Sequence, residues 1–439
     1  MCSWPSPRVY AGARGFVRCP AVLAAFAAIF SSPSLCLGQW PVFVPIRASG
    51  TYAVGERAGW TATLPDSARI PAGGYRYVIT KNRKDTVRTG VLDFSSGTAR
   101  LEATISEPAM MYVQVHTGEK GPASTVNLGA AIGLTQIKPV VPRPADFDAF
   151  WDGKLKALAA VPINAALTPV PTKVPDIELY TVKLQSLGSM VQGYLAKPKR
   201  DGKFPALLIY QYAGVYPLQP QWATSRAVEG WLVLNVDSHD VYPDSIVGVP
   251  QNYRDVGNTD RETSYFLAMY LRDHRAVDYL ASRPDWDGRV MVATGTSMGG
   301  QQSVVTAALD PRITAVVVNE PSGADVNAEL HGRAAGYPNW QWSDANVMET
   351  ARYFDTVNFA PRITAPVCIA VGFIDTTATP WGIITMFNQI RGPKELIPMI
   401  DSDHNHITPQ KQSQWNARSK EVLDQLRTTG AFTPKPFVN

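Results

Sequence analysis

From about Trp40 to Leu134, apolar and polar positions alternate in short runs. GERAGWTATL, GGYRYVITKN, TGVLDFSSG, ARLEATI and MMYVQVHTG are strand-length and are punctuated by glycine, proline, asparagine or serine. Tyr75, Tyr77 and Ile79 alternate with Arg76, Val78 and Thr80, the period of a half-buried strand. Regular short strands with this punctuation predict a small, Ig-like β-sandwich over residues 40–135.

After Tyr180 the pattern changes. FPALLIYQY, WLVLNVD, RVMVATG, ITAVVVNE, PVCIAVG and KELIPMI are nearly continuous apolar runs, as expected for strands buried on both faces. Between them lie helical stretches, the clearest from Glu262 to Ser282, where Phe266, Met269, Tyr270, Val277 and Leu280 form a stripe. The alternation predicts an α/β domain over residues 140–435, with a mostly parallel sheet and helices on both faces. QIKPVVPRPADFDAFWDGKLKAL joins the two blocks. Its prolines at 139, 142 and 144 prevent helix before about residue 144, after which Phe147, Phe150, Trp151 and Leu155 share one helical face.

Composition narrows the class. With 45% hydrophobic and 18% charged residues, the 439-residue chain has ordinary globular usage and length for two domains. A net charge of +4 without a lysine or arginine block argues against nucleic acid as a partner. At the N-terminus, Arg8, Arg14 and Arg18 precede AVLAAFAAIF and then SSPSLCLGQW, the order of a secretory signal peptide over residues 1–38. The apolar run is short for a membrane span, so the mature protein is expected to be secreted or periplasmic and free of the membrane. Leu35 before Cys36 argues against a lipoprotein site. Cys2, Cys19 and Cys36 fall in the leader, and Cys368 in PVCIAVG reads as a buried small hydrophobe.

Gly295-Thr296-Ser297-Met298-Gly299 matches the G-x-S-x-G elbow, between a strand predicted over Arg289–Thr294 and a small-residue helix over Gly299–Ala308. A serine hydroxyl needs a base to take its proton, and on this elbow the order is serine, acid, histidine. Of six histidines, His116, His239 and His274 precede Ser297, and His331 comes before the late strands. His404 and His406 follow KELIPMI, and Asp375 ends the preceding strand region. On an extended loop residues i and i+2 share a side, so spacing leaves both histidines open. The oxyanion donors are expected to be the backbone N–H groups of Met298 and of Tyr212 in IYQYAGVYP.

Other residues carry weaker readings. Asp401 and Asp403 read as solvated loop charges, Glu320 as a helix-capping carboxylate rather than a pocket-floor group, and Asp237 as a loop or switch-point residue. No G-x-G-x-x-G follows the first core strand and no G-x-x-x-x-G-K-[ST] exists, which removes support for nucleotide cofactors. His404 and His406 beside Asp401 and Asp403 form only a weak metal pattern, so neither metal nor cofactor is expected.

RPADFDAFWDGKLKAL, TGTSMGGQQS, VGFIDTTATP and GPKELIPMIDSDHNH carry a likeness that spans roughly residues 140 to 425. This block resembles the acetyl xylan esterase / cephalosporin C deacetylase family of α/β-hydrolases. That family more often has glutamine at the position of Met298, and an Arg-Gly-Gln-Gly type loop where this chain reads NVDSHDVYPDS. The resemblance implies an α/β-hydrolase fold, a preference for His404 over His406, and an oxyanion tyrosine at or next to Tyr212. It also implies a serine esterase that removes acetyl groups from acetylated oligo- or polysaccharides, with the β block as an appended domain of larger exported relatives. Compact relatives often form oligomers, which leaves a homo-oligomer open. Tyr337, Trp340 and Trp342 in GYPNWQW are candidate sugar-stacking residues, with core or lid packing as the alternative. The competing functions are a serine peptidase of the same fold, for which no paired-glutamate loop is found, and a catalytically silent carbohydrate-binding protein.

Overall fold

A computed structural model describes residues 40–66, 69–117 and 124–437. The expected leader with Cys2, Cys19 and Cys36 lies outside the described residues. Before the linker come strands β1 (Val42–Pro45), β2 (Thr51–Tyr52), β3 (Arg57–Thr63), β4 (Arg76–Lys81), β5 (Asp85–Val91), β6 (Thr98–Thr104), β7 (Ala109–His116) and β8 (Thr125–Ile132). They make two sheets, β1-β3-β6 and β2-β8-β7-β4-β5. Trp60 and Leu101 of the first meet Tyr77, Ile79, Met111 and Val113 of the second in one apolar core. The sandwich pattern therefore holds, with Tyr77 and Ile79 buried and Arg76 exposed on β4. TGVLDFSSG departs from expectation: its strand ends at Val91, because Asp93 Oδ1 accepts the Ser95 N–H (2.9 Å) and turns the chain. Strands β1, β2 and β8 had no clear signal in the pattern.

The second block holds β9 (Ala166–Pro169), β10 (Ile177–Gln185), β11 (Met190–Pro198), β12 (Phe204–Tyr210), β13 (Leu232–Val236), β14 (Trp286–Thr296), β15 (Ala315–Asn319), β16 (Val367–Gly372) and β17 (Lys394–Met399). Among the described residues these form one sheet in the order β17-β16-β15-β14-β12-β13-β11-β10-β9. From β13 to β17 the pairings are parallel, while β11, β10 and β9 continue the edge antiparallel, an extension the apolar runs did not announce. Both faces are covered. Leu208, Val316 and Val318 join Phe147, Phe266, Val304 and Ile383 on one side, and Leu207, Val233 and Val317 join Ala223, Trp415 and Val422 on the other. Burial on alternate faces explains why these strands read as continuous apolar runs. The predicted helix at Glu262 begins at Tyr265 instead, since Asp260 O accepts the Thr263 and Ser264 N–H groups and holds them in a turn.

Strand order determines where a site can form. The chain leaves β12 for β13 on one side and returns across β12 to β14, so the loops after β12 and β14 diverge at a switch point. Tyr210 and Gly295 are register partners at that edge.

The two blocks are packed tightly together. A Cβ on Gly129 of β8 would lie 2.4 Å from Phe373 O, and one on Gly50 would lie 2.8 Å from Ile400 Cγ2. Asn388 Nδ2 donates to Leu134 O and Ile137 O, both at 2.9 Å. The proline-rich connection is also tied down: the Val140 N–H donates to Asp325 Oδ1 (3.2 Å), and Arg352 donates to Pro142 O (3.0 Å). Among the described residues no helix is long and apolar enough to cross a membrane. Gly129→Ala should force the blocks apart and lower stability by about 1–3 kcal/mol, read as a reduced Tm by calorimetry. An unchanged Tm would show that the contact has slack.

Candidate active site

Ser297 sits between β14 and helix Met298–Leu309 with φ +56° and ψ −122°, a conformation that side-chain-bearing residues rarely adopt. Two bonds hold it there: the Ser297 N–H donates to Asn319 O (3.0 Å), and Ser297 O accepts the Ser322 N–H (3.1 Å). The flanking glycines are required by space. A Cβ on Gly295 would lie 2.4 Å from Gly299 C, and one on Gly299 would lie 2.2 Å from Tyr210 O. Met298 opens the helix, so its N–H has no intrahelical acceptor.

Asp375 follows β16 and is wholly buried. Its Oδ1 accepts the N–H groups of Thr377 (2.7 Å) and Ala378 (2.9 Å). Its Oδ2 lies 2.7 Å from His404 Nδ1, and His404 Nε2 lies 2.9 Å from Ser297 Oγ. The three side chains form one hydrogen-bonded series, drawn from the ends of three parallel strand units. Burial alone would lower the His404 pKa, but the hydrogen bond and charge of Asp375, with Glu320 and Asp403 beyond, leave it above the ordinary imidazole value. Burial pushes the Asp375 carboxyl up, and the imidazole and the two backbone N–H groups pull it back. A hydroxyl on an imidazole that is itself held by a carboxylate is the arrangement that can deliver an alkoxide-like nucleophile and store its proton.

His406 takes no part in this series. Its side chain is 82% exposed and faces Asp403, whose Oδ1 also accepts the Asn405 and His406 N–H groups. The local turn at Asp403 breaks the extended i, i+2 geometry that left both histidines open. Asp403 is thereby a loop-forming residue. The helix-capping reading of Glu320 is corrected as well, since no helix begins there. Glu320 is buried at φ +45°, with Oε2 accepting from Gln412 Nε2 (3.3 Å) and Oε1 unpartnered among the described residues. One side-chain atom each of Glu320, Asp375 and His404 lies within 4.8 Å of the others. Burial, then the charge of Asp375, raises the Glu320 pKa to about 7.

The loop after β12 is held by residues outside the elbow triplet, the acid and the late histidines. Gln302 Nε2 donates to Gln211 O (2.9 Å), and Gln211 Oε1 accepts the Ser238 N–H (2.9 Å). His239 reaches Gly214 O and Tyr265 Oη, both at 2.9 Å, and burial lowers its pKa to about 4. Tyr212 thus follows a fixed Gln211, next to the start of the elbow helix. Of the three proposed stacking aromatics, Trp340 is only 4% exposed, donates its indole N–H to Arg254 O (2.6 Å) and packs edge-on against Phe266. That residue is a core anchor rather than a platform, because its ring faces are already covered. Tyr337 Oη sits on Tyr253 Oη (2.9 Å) and Met298 Sδ (3.2 Å), so it braces the elbow. Trp342 is exposed. Cys368 is buried and burial raises its thiol to about 12, which makes it inert.

A mostly parallel sheet with a serine at its strand-to-helix turn defines an α/β-hydrolase type of fold. The chain belongs to the acetyl xylan esterase (AXE1) family, whose model matches residues 131–420, and it is a carboxylic ester hydrolase. It is 30% identical over 384 residues to acetyl esterase Axe7A of Xylanibacter ruminicola, a match that covers 82% of this chain and 86% of the relative. Its fold is similar to that of an acetyl xylan esterase from Paenibacillus sp. R4, with TM-score 0.58 and 25% identity, covering 66% of this chain and 98% of that one. It is also similar to acetyl xylan esterase 1 from Thermoanaerobacterium sp. JW/SL YS485, with TM-score 0.57 and 22% identity, covering 67% and 98%.

The position of Glu320 has a measurable consequence. Its charge is one of the influences that raise the His404 pKa, so Glu320→Gln should move the His404 titration midpoint to lower pH. Imidazole NMR across that range reads the shift directly. An unmoved midpoint would mean that Glu320 holds no charge while His404 titrates.

Proposed function

We propose that this chain is an exported carbohydrate O-deacetylase whose nucleophile is Ser297, whose base is His404 and whose orienting acid is Asp375. The observation that carries the assignment is the series Ser297 Oγ, His404 Nε2, His404 Nδ1, Asp375 Oδ2, with separations of 2.9 Å and 2.7 Å. In this reading Ser297 Oγ attacks the ester carbonyl carbon as its proton passes to His404 Nε2. The carbonyl oxygen becomes an oxyanion that accepts from the N–H groups of Met298 and Tyr212. Collapse expels the sugar alkoxide, which takes the proton from Nε2. Water then gives a proton to the same nitrogen and attacks the acyl-serine, and acetate departs as Ser297 regains its proton. Asp375 fixes the tautomer with Nε2 free to accept and stabilises the imidazolium.

Membership of the acetyl xylan esterase family, and relatives named acetyl esterase and acetyl xylan esterase, support acetylated xylan-type sugars as the substrate. The basic, apolar and small-residue order of residues 1–38 supports export to the periplasm or medium. We assign residues 40–135 as an appended β-sandwich domain and 140–435 as the catalytic domain.

Acetate release from acetylated xylo-oligosaccharides tests the reading. Ser297→Ala should lower kcat by about 10³-fold or more with the fold intact, and retention of over roughly a tenth of activity would remove the elbow from the mechanism. His404→Ala should be nearly inactive at every pH, while His406→Ala should change rate only modestly. A dead His406→Ala beside an active His404→Ala would reassign the base. For the unmodified enzyme, kcat/KM should fall as pH drops through the His404 pKa, because protonation at Nε2 removes the base. That pKa is raised, so the acid limb should lie above the ordinary imidazole value of about 6.5.

A further inference from the structure

Helices Pro220–Val228 and Ser413–Thr429 lie on the same face of the sheet, where Ala223, Ala227, Val422 and Leu426 share one core. Over the C-terminal ends of β12 to β15 a cleft of about 380 Å³ opens between them. The sheet supplies its floor, including Asn235 and Thr294, while Trp222 and Trp415 form walls from the two helices. Thr296 lines it too, so the cleft runs up to the foot of the elbow that carries Ser297.

The lining has a definite chemistry. Tyr212 stands at the mouth, 46% exposed, stacked on Tyr216 with ring centroids 4.6 Å apart and 6.1 Å from Trp222. At the floor, Asn235 is wholly buried. Its Nδ2 donates to Ile209 O (3.0 Å) and its Oδ1 is enclosed beneath the cleft surface, so the residue supports the floor without reaching the open space. No carboxylate, ammonium or imidazole lines the cleft, and its single guanidinium, Arg226, is bound to Glu229 at 2.9 and 3.1 Å. Aromatic faces and hydroxyls, without free charge, suit a neutral polyhydroxylated ligand.

We propose that this cleft is a subsite for the neutral sugar units that flank the acetylated residue of the substrate, a proposal that rests on the carbohydrate reading above. The C–H face of a pyranose packs on Trp222 or Tyr212. The neighbouring hydroxyls meet Thr296, Asn416 and Ser419, which border the same space. A chain bound there is held beside the nucleophile, so its length adds to affinity without entering the acyl pocket.

Calorimetric titration of unacetylated xylohexaose into the full chain tests the subsite apart from turnover. Trp222→Ala removes a wall and Ser419→Trp fills the cleft from the opposite helix. Each should weaken xylohexaose binding by about tenfold or more. The ratio of kcat/KM for acetylated xylohexaose to that for an aryl acetate should drop by a similar factor in both variants. Absence of binding to the unmodified chain, or equal binding by all three proteins, overturns the subsite. Binding that the two substitutions weaken, in a chain that releases no acetate from acetylated xylohexaose, keeps the subsite and sinks the deacetylase reading.

Discussion

The close approach of β14, the elbow helix and β12 is the constraint on which the site depends. Gly299 lies so near Tyr210 O, and Gly295 so near Gly299, that neither position has room for a side-chain carbon. Their absence lets the chain reverse within one residue, and Ser297 absorbs the cost at φ +56°. The strain has a structural return. It projects Oγ from the strand edge toward His404, and it points the first N–H groups of the helix at the same space. Bonds from Asn319 and Ser322 on the neighbouring strand unit keep the strained residue from relaxing.

Charge is arranged around that turn in a graded way. Two buried carboxyls, Asp375 and Glu320, face one imidazole. Asp375 is fed by backbone N–H groups and engages Nδ1, whereas Glu320 has one oxygen on Gln412 and the other unpartnered among the described residues. Burial raises both carboxyls, and proximity to Asp375 raises Glu320 further. The imidazole responds to their summed field, so the protonation of Glu320 and that of His404 are linked.

The β block reaches this machinery through packing. Gly129 meets the backbone of Phe373, two residues before Asp375, and Gly50 meets Ile400 on the loop that leads to His404. Both contacts need a missing Cβ, which places the sandwich against the acid and histidine loops rather than on a distant tether. The proline-rich connection, pinned by Asp325 and Arg352, adds to the same contacts.

Local patterns in the chain settled a good deal. Period-2 alternation and continuous apolar runs marked most strands of both blocks, because burial on one face or two leaves a direct trace in composition. The elbow was legible because its glycines answer a steric demand between near neighbours in sequence. Less visible were β9 to β11 and strand β8, whose sequences mix polar and apolar positions and find partners only in the assembled sheets. Spacing leaves His404 and His406 equivalent, and the turn at Asp403, which sends the His406 side chain to solvent while His404 meets Asp375 and Ser297, appears only in the folded loop. The pattern gives no sign of the Tyr253–Tyr337 brace and points Glu320 to a helix cap that does not exist, since the surroundings of these residues come from segments far apart in the chain. Sequence carries the periodicities that burial imposes on each segment. Which buried polar group meets which partner depends on contacts between segments, and only the tertiary structure decides those.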